Sequence, residues 1–319
     1  MRASVVIPAY NRLGDLRRAL DALARQTIGG FEVIVVDNSS TDGTGPAMEA
    51  LAAEGSLPFD LVYRRKAPEG PAAARNLGTG TARAPFVAYV DSDVELAPDW
   101  LEVCLAAMEA DPALGAVGGR VRYANDPGFL NCFGGCLSRI GLAWDALEGE
   151  PVGRAEAPRR LLWMNCSAML ARRAAVEAAG GFDDRFFYAF EDSDIGWRIT
   201  LAGYEVRVIP EAEVLHHVGD EIGIAGAPIV FHGCKNRLAS LIANHTGQAL
   251  AIWLPVYLAY ALADAVLRSP RRAKLRALGW NLAHLGGTLE RRRAIAAGRR
   301  RYAAEAEALF APRLFPPTR

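Results

Sequence analysis

Short apolar runs alternate with helically spaced segments over the first 95 residues of the chain. The clearest run, Phe86–Val90, has five apolar or aromatic residues in succession, as expected of a strand buried on both faces. Strands alternating with helices indicate a sheet covered by helices, so we predict an α/β, doubly wound, mainly parallel sheet. The predicted strands are 3–7, 31–36, 61–63 and 86–90, and the predicted helices are 13–25, one ending near 51, and 70–78.

Polar residues follow three of these predicted strands. Asn11 comes after the first strand, the cluster 37–42 after the second, and the cluster 91–93 after the fourth. In doubly wound sheets, ligands bind beyond the carboxyl ends of the strands, which is where these residues fall. We therefore expect a ligand site at this edge of the sheet.

Asp91 and Asp93 stand one residue apart at the end of the most apolar strand. Isolated carboxylates are costly there unless their charge is neutralised. Mg²⁺ and Mn²⁺ prefer oxygen ligands and often bind one or two carboxylates together with substrate phosphates. The pattern therefore indicates a divalent-metal site. The alternative is a surface turn, because Asp and Ser are common turn residues.

The pattern changes after Asp93. We predict a helix at 98–110, strands at 117–123 and 164–170, and helices at 173–179 and 194–201. The Gly-rich stretch 125–160 is predicted to be irregular and to cover a site. Aromatic residues from 186 to 190 precede three acids, Glu191, Asp192 and Asp194, which mark the start of the last of these helices.

Composition adds one asymmetry to this picture. The chain has 319 residues, 51% hydrophobic and 23% charged, as in an ordinary globular protein of about two domains. Its formal net charge is zero, yet residues 268–301 hold eleven Lys or Arg and one acid. This basic segment indicates an anionic partner, for which membrane lipid and nucleic acid are the two classes.

Five cysteines, an odd number without a Cys-x-x-Cys pair, favour reduced thiols in a cytosolic protein. Cys132 and Cys136 would share a helix face, but no matching Cys or His pair follows to complete a metal site. The chain enters its first predicted strand directly, so no signal peptide is expected.

The segment 249–266 is nearly all apolar, and the basic segment follows it. A spanning helix needs about 20 apolar residues, and this segment is shorter, contains Pro255 and reaches Asp264 before it ends. An apolar helix beside basic residues is typical of a helix lying in the interface of an anionic membrane. Packing on the catalytic domain or a partner subunit, and a true transmembrane span, are the alternatives.

Six motifs in order give the chain a resemblance to the family 2 glycosyltransferases, which have the nucleotide-sugar-binding GT-A fold. The resemblance covers about residues 3–220, and within the family it is most similar to bacterial rhamnosyltransferase-type members. The motifs are Val5 to Asn11, Val35 to Thr44, Gly70 to Gly78, Val90 to Asp93, Gly180 to Asp183 with Glu191 and Asp192, and Ala212-x-Val214-x-His216.

The resemblance implies roles for individual residues. Asp192 is implied as the catalytic base, with Glu191 supporting it. Asp93 is implied as a direct ligand of Mn²⁺ or Mg²⁺, Asp91 as facing the ribose or a metal water, and His216 as completing the metal site. The residues implied to contact the nucleotide sugar are Pro8, Ala9, Tyr10, Asn11, Asp37, Ser39, Asp42, Arg75, Asn76 and Asp91.

Several of these residues have simpler explanations. Asp37 is also suited to cap the following helix, and Asp192 or Ser193 to cap the helix at 194–201, since both residue types are favoured caps. A surface position on its helix is the alternative for Arg75. His217 stands beside His216, and only the alternation with Val214 favours the latter as the ligand.

The resemblance further implies an inverting transfer from a nucleoside-diphosphate sugar, with UDP- or dTDP-sugars favoured, to a glycan or lipid-linked acceptor in cell-surface polysaccharide synthesis. It implies a catalytic domain at 1–220, with a nucleotide-sugar half to about 95 and an acceptor half from 96, followed by a basic helical region at 221–319. We expect a cytoplasmic enzyme, peripheral on an anionic membrane, and no nucleic-acid partner. The alternatives are a nucleotidyltransferase and a non-catalytic carbohydrate-binding scaffold.

Overall fold

A computed structural model describes residues 1–218, 226–300 and 303–317. The predicted domain boundary at 220 and Arg301, the last residue of the basic segment 268–301, lie outside these ranges. The described chain forms a large mixed sheet, a two-stranded sheet and eleven α-helices. The strands are β1 Ala3–Ala9, β2 Phe31–Asp37, β3 Asp60–Arg65, β4 Phe86–Val90, β5 Val94–Leu96, β6 Leu114–Tyr123, β7 Leu130–Cys132, β8 Gly135–Leu137, β9 Ala143–Asp145, β10 Arg159–Leu161, β11 Ala168–Arg172 and β12 Glu205–His216.

Among the described helices, five precede the predicted catalytic helix and five follow it. They are α1 Leu13–Ala24, α2 Thr44–Glu54, α3 Gly70–Thr81, α4 Trp100–Ala110, α5 Arg173–Ala178, α6 Glu191–Leu201, α7 Ala227–Asn244, α8 Gly247–Leu267, α9 Arg271–Ala283, α10 Leu285–Gly298 and α11 Ala303–Glu307.

The main sheet has the strand order β10-β12-β6-β11-β4-β1-β2-β3. β1 pairs in parallel with both β2 and β4, and β2 pairs in parallel with β3, so the first half of the sheet is parallel as predicted. β11 runs antiparallel between β4 and β6, which joins this half to the second half. The carboxyl ends of β1, β2 and β4 therefore meet at one edge.

The core lies on both faces of the sheet, which confirms the doubly wound arrangement. Successive residues of β1 point to opposite sides, so Val5 packs with Leu16 of α1 while Val6 packs with Ala72 of α3. All five residues of β4 are buried, as the apolar run predicts. The strand that precedes the two aspartates is therefore buried in the centre of the sheet.

Some predicted elements are wrong in detail. The strand predicted at 164–170 is β11, which begins only at Ala168, and the helix predicted from 194 is α6, which begins at Glu191. The stretch 125–160 is not wholly irregular, because it contains β7, β8 and β9. Cys132 and Cys136 lie in β7 and β8 rather than on one helix face, and all five cysteines are free.

The helices after β12 pack on the rest of the protein. Buried residues of α7 and α8, among them Leu241 and Tyr257, form one apolar cluster with Ile140 and Leu142. By length and composition, Gly247–Leu267 is the one helix in the described part of the chain that is long and apolar enough to cross a membrane. The inner face of this helix packs against the cluster. This agrees, for that face, with the alternative that the segment 249–266 packs on the rest of the protein.

Candidate active site

The loops after β1 and β2 are joined by hydrogen bonds at the edge of the sheet. Asn11 has a left-handed backbone, its N–H donates to Ser40 Oγ (2.9 Å), and its Oδ1 accepts from the Thr41 N–H (2.7 Å). Asp42 accepts from the backbone N–H of Leu13, the first residue of α1 (2.9 Å). Tyr10, another of the predicted contacts, lies beside this junction with 46% of its surface exposed. Together with residues 91–93, these loops form what we call the strand-end side of the site.

Asp37 is fully buried, and each of its carboxylate oxygens accepts a hydrogen bond. Oδ1 accepts from the Ser40 N–H (2.8 Å) and Oδ2 from the Tyr63 hydroxyl (2.7 Å). It is not a helix cap, because α2 begins at Thr44 after Gly43. Ser39 Oγ donates to the carbonyl of Lys66 and so connects this loop to the residue after β3. A base contact by Asp37 remains a prediction.

Arg75 links the strand ends to α6. Its side chain is 4% exposed, so the surface alternative is wrong. Nη2 donates to Asp91 Oδ1 (2.8 Å) and Nη1 to Glu191 Oε1 (3.0 Å). Despite burial, these two carboxylates raise the pKa of Arg75, because both favour its charged form. One arginine thus joins two residues that lie far apart in the sequence.

Asp192 lies in the first turn of α6, which we call, with the turn at 183–190, the helix side of the site. The cap residue of α6 is Phe190, so neither Asp192 nor Ser193 is the N-cap. Burial and the neighbouring Glu191 raise the pKa of Asp192 to about 8. Glu191 Oε2 is buried and has no hydrogen-bond partner among the described residues. A carboxyl with the pKa of Asp192 is suited to accept a proton near neutral pH.

Asp93 and His216 lie close enough to share a cation. Asp93 Oδ1 is 3.5 Å from His216 Nε2, and the other ring nitrogen, Nδ1, is 2.9 Å from Asn131 Oδ1. Although burial opposes it, His216 and Arg12 hold the pKa of Asp93 below its usual value. No group of three or more His, Cys, Asp or Glu suited to a metal occurs within the described ranges. The donor set therefore fits an ion that takes two protein ligands and completes its shell with substrate oxygens.

Two residues at this position were not predicted. Arg12 Nη1 donates to Asp93 Oδ2 (2.8 Å), opposite the oxygen that faces His216. Asn131 orients the His216 ring, as outer partners of metal-ligating histidines commonly do. His217 is not at this position, because its ring contacts Glu95. Arg12 directly follows the first strand-end loop, but a single arginine after a strand gives no specific signal in the sequence.

The helix side is held by residues that sequence reasoning missed. Asn76 pairs its amide with the backbone N–H and carbonyl of Phe182, and its contact with the nucleotide stays a prediction. On α6, Asp194 forms a buried ion pair with Arg198 (2.6 Å). Ser240 and Asn244 of α7 both donate to Asp194 Oδ1. The segment that contains α7 lies outside every motif, so no pattern marked it.

Comparison with known sequences identifies relatives along most of the chain. Residues 4–131 match the profile of Glycosyl transferase family 2. The chain is 28% identical to an N-acetylglucosaminyl-diphospho-decaprenol L-rhamnosyltransferase of Mycobacterium tuberculosis, over 76% of this chain and 85% of the relative. It is 40% identical to a validoxylamine A glucosyltransferase of Streptomyces hygroscopicus, over 66% of this chain and 54% of the relative.

Solved structures agree on the fold. GalNAc-T7 with UDP, GalNAc and Mn²⁺ superposes with a TM-score of 0.63 and 17% identity, over 87% of this chain and 54% of the other. Residues 1–349 of TarS from S. aureus superpose with a TM-score of 0.59 and 17% identity, over 97% of this chain and 83% of the other. The fold is GT-A, and the protein is a glycosyltransferase. The chain belongs to glycosyltransferase family 2, as its six motifs predict.

Proposed function

We propose that this protein is an inverting, metal-dependent glycosyltransferase. It moves a sugar from a nucleoside diphosphate, UDP or dTDP, to a hydroxyl of a glycan or lipid-linked acceptor. The observation that carries the proposal is the Arg75 bridge, because it joins the strand-end aspartate Asp91 to Glu191, the neighbour of Asp192. A donor-binding edge and a buried base thus belong to one connected site.

The strand-end side is proposed to bind the donor. Pro8, Ala9, Tyr10 and Asn11 border the nucleotide, and Asp91 faces its ribose. Asp37, Ser39 and Asp42 shape the base pocket, in part through the backbone contacts that they make within the loops. We assign Arg75 to holding the two carboxylates rather than to a direct nucleotide contact, because its side chain is almost fully buried.

Asp93 and His216 are proposed to hold Mn²⁺ or Mg²⁺. The bound ion would supply Lewis-acid stabilisation of the charge that develops on the leaving diphosphate. Asp93 presents one oxygen towards His216, while Arg12 binds the other and keeps the carboxylate charged. Asn131 holds the ring of His216 in place.

Asp192 is proposed to remove the proton from the acceptor hydroxyl. Its raised pKa gives it the basicity that this step needs, and burial and Glu191 are the causes of that pKa. A single displacement by the activated hydroxyl inverts the anomeric carbon, and no sugar–enzyme bond forms. The name of the rhamnosyltransferase relative supports an acceptor that is carried on a lipid diphosphate.

The membrane-facing part of the proposal concerns α8 and α9. Every exposed residue from 251 to 267 is apolar, and Ile252, Val256 and Leu262 are large and exposed. Exposed arginines, among them Arg271 and Arg272, follow at the start of α9. An apolar helix face flanked by cations fits an anionic lipid surface. We therefore propose a peripheral enzyme at the cytoplasmic face of a membrane, close to a lipid-linked acceptor.

A panel of nucleotide sugars tests the activity. The protein is incubated with each donor and Mn²⁺, and slow release of free nucleoside diphosphate to water is measured. We expect release from one UDP- or dTDP-sugar, and its loss on chelation of the metal or in Asp93→Asn. Glu95→Gln, which lies nearby in the chain but contacts His217, is the matched control and should keep the activity. Release that is unaffected by chelation and by Asp93→Asn would contradict the metal site.

A further inference from the structure

The turn that leads into α6 has an unfavourable backbone. Ala189 and Phe190 both have a positive φ, 64° and 73°, although neither is glycine. Left-handed conformations cost L-residues free energy, and two in succession persist only where the surrounding structure imposes them. The next two residues are Glu191 and Asp192. The position of the proposed base therefore depends on whatever holds this turn.

α7 supplies the contacts that hold the turn. Asn236 is fully buried, and its Nδ2 donates to the carbonyls of Tyr188 (2.9 Å) and Ala189 (2.6 Å). The neighbouring Lys235 donates through Nζ to the carbonyl of Arg185 (2.6 Å). Two adjacent side chains of one helix thus satisfy three carbonyls of the turn.

The opposite side of the turn leaves it no room to move. A Cβ added at Gly70, the first residue of α3, would overlap the carbonyl oxygen of Phe187. Gly70 itself has a φ of 86°, which glycine adopts readily. The turn is therefore confined between α3, the helix that carries Arg75, and α7. Moving it would shift Asp192 relative to the strand ends.

We propose that Asn236 is a positioning residue for sugar transfer, holding the left-handed turn at 189–190 so that the Asp192 carboxylate meets the acceptor hydroxyl. The proposal rests on the function proposed above and adds α7 to its machinery. It also assigns a role to the chain after residue 220 that neither a membrane anchor nor a packing helix would have. Small displacements of a reacting group are costly, since about 1 Å can lower turnover by about 10²-fold.

The test compares two variants with a matched control. Asn236→Asp keeps the shape of the side chain but removes the N–H groups that donate to the turn. Asn236→Ala removes both the side-chain amide and its volume. Asn281→Ala is the control, because Asn281 is another buried asparagine that donates to the carbonyl of Lys235 without touching the turn. Nucleotide release from the donor identified by the panel, affinity for the free nucleoside diphosphate, and thermal unfolding are measured for each.

We expect Asn236→Asp and Asn236→Ala to lower kcat by about 10-fold or more, with unchanged affinity for the nucleoside diphosphate. Asn281→Ala should lose comparable thermal stability and keep its kcat. A purely structural role would instead make all three variants alike. Hydrogen exchange of residues 185–190 in Asn236→Asp, which conserves volume, shows directly whether the turn has loosened.

The pH profile of kcat gives an independent reading. Glu191 on the same helix, Arg75 from α3 and Asp145 from β9 face Asp192, and burial is the largest cause of its raised pKa. Burial raises the pKa of the nearby Cys166 thiol well above its usual value, so this thiol stays neutral over the pH range in which Asp192 titrates. A loosened turn admits water, so the rise in kcat should move to lower pH in Asn236→Ala, which introduces no new charge near Asp192.

Two results separate failure of this proposal from failure of the function. If the Asn236 variants keep the kcat and pH profile of the wild type, Asn236 is not a positioning residue, whatever Asp192 does. If Asp192→Asn keeps full turnover, the base is misassigned, whatever Asn236 does.

Discussion

The two sides of the site are held in different ways. The strand-end side consists of loops that directly follow buried parallel strands, and its hydrogen bonds join neighbouring loops, as between Asn11 and Ser40. The helix side is a strained turn whose contacts come from α7, much later in the chain. Sheet topology and contacts between neighbouring loops therefore bring together most residues proposed to bind the sugar donor, whereas the turn before the proposed base depends on contacts from α7. The comparison predicts that distant substitutions disturb the helix side more than the strand-end side.

The largest effect is expected for Asp194 of α6, which pairs with Arg198 on the same helix and accepts hydrogen bonds from Ser240 and Asn244 of α7. Asp194 and Arg198 are 2% and 1% exposed, and Asp194→Asn would leave the arginine with no carboxylate partner at this position. Breaking such a buried pair typically costs about 3–5 kcal/mol of unfolding free energy. Urea denaturation of the wild type and of Asp194→Asn measures this difference in unfolding free energy.

The control for Asp194→Asn is Glu54→Gln, at the exposed end of α2. We expect it to change the unfolding free energy by less than about 0.5 kcal/mol, as surface substitutions usually do. If the two variants are equally stable, the α6–α7 network does not hold the helix side.

The next effect concerns the proposed base itself. Asp192→Asn removes the proton acceptor, so turnover should fall by about 10²-fold or more while donor affinity stays nearly unchanged. In the wild type, kcat should rise with pH through about 8, because the carboxylate form is the active one and burial with Glu191 raises its pKa. Steady-state rates measured from well below to well above this pKa check both statements.

Glu191→Gln is the matched variant for this experiment. It keeps a hydrogen-bond acceptor for Arg75 but loses the charge, so the pKa of Asp192 should fall and the kcat profile should move to lower pH. An inactive Glu191→Gln beside an active Asp192→Asn would mean that Glu191 is the base.

On the strand-end side, we expect a substitution to strengthen a function, the binding of Mn²⁺, and by a smaller factor than the losses above. Arg12 and a metal ion would compete for the negative charge of Asp93. The side chains of Arg12 and Asp93 are 16% and 18% exposed. Arg12→Gln should therefore strengthen the binding of Mn²⁺ alone by about fivefold, since a partly exposed pair is worth up to about 1 kcal/mol. Electron paramagnetic resonance of free Mn²⁺ measures the affinity without nucleotide and with UDP.

Arg12→Lys, which keeps the positive charge, should behave like the wild type. With UDP present, the diphosphate offsets the arginine, so the gain in Arg12→Gln should shrink. Equal Mn²⁺ affinity in the wild type and Arg12→Gln would show that Arg12 and the metal do not compete for Asp93.

The same contrast explains what the sequence reveals. The strand ends were predictable because Phe86–Val90 is apolar throughout and Asp91 and Asp93 follow it at once. The hydrogen-bond partners of those residues were not predictable, because the sequence alone leaves a surface position open for Arg75, and only the structure shows its contacts with Asp91 and Glu191. Asn236 is one polar residue in a helix, and its role depends on carbonyls 47 and 48 positions earlier. No local pattern encodes such a contact.

An effect of similar size per residue is expected at the surface of α8 and α9 that is proposed to face a membrane, which lies outside both sides of the site. In sedimentation with anionic vesicles, the full-length protein should pellet at low salt and less at high salt. Arg271→Gln and Arg272→Gln should each weaken binding by about 1 kcal/mol. Arg17→Gln, exposed on α1, is the control and should not weaken it.

The apolar face of α8 is best tested by point variants as well, because loss of the whole helix would uncover the buried cluster around Leu241 and Leu142. Replacing exposed Ile252 or Leu262 by Ser leaves the inner face of the helix intact. Either change should weaken vesicle binding at every salt concentration, since apolar burial is not screened by ions. Protein that stays in the supernatant under every condition, yet is dimeric by light scattering until Leu262 is replaced, would show that this face binds a second copy of the chain instead of lipid.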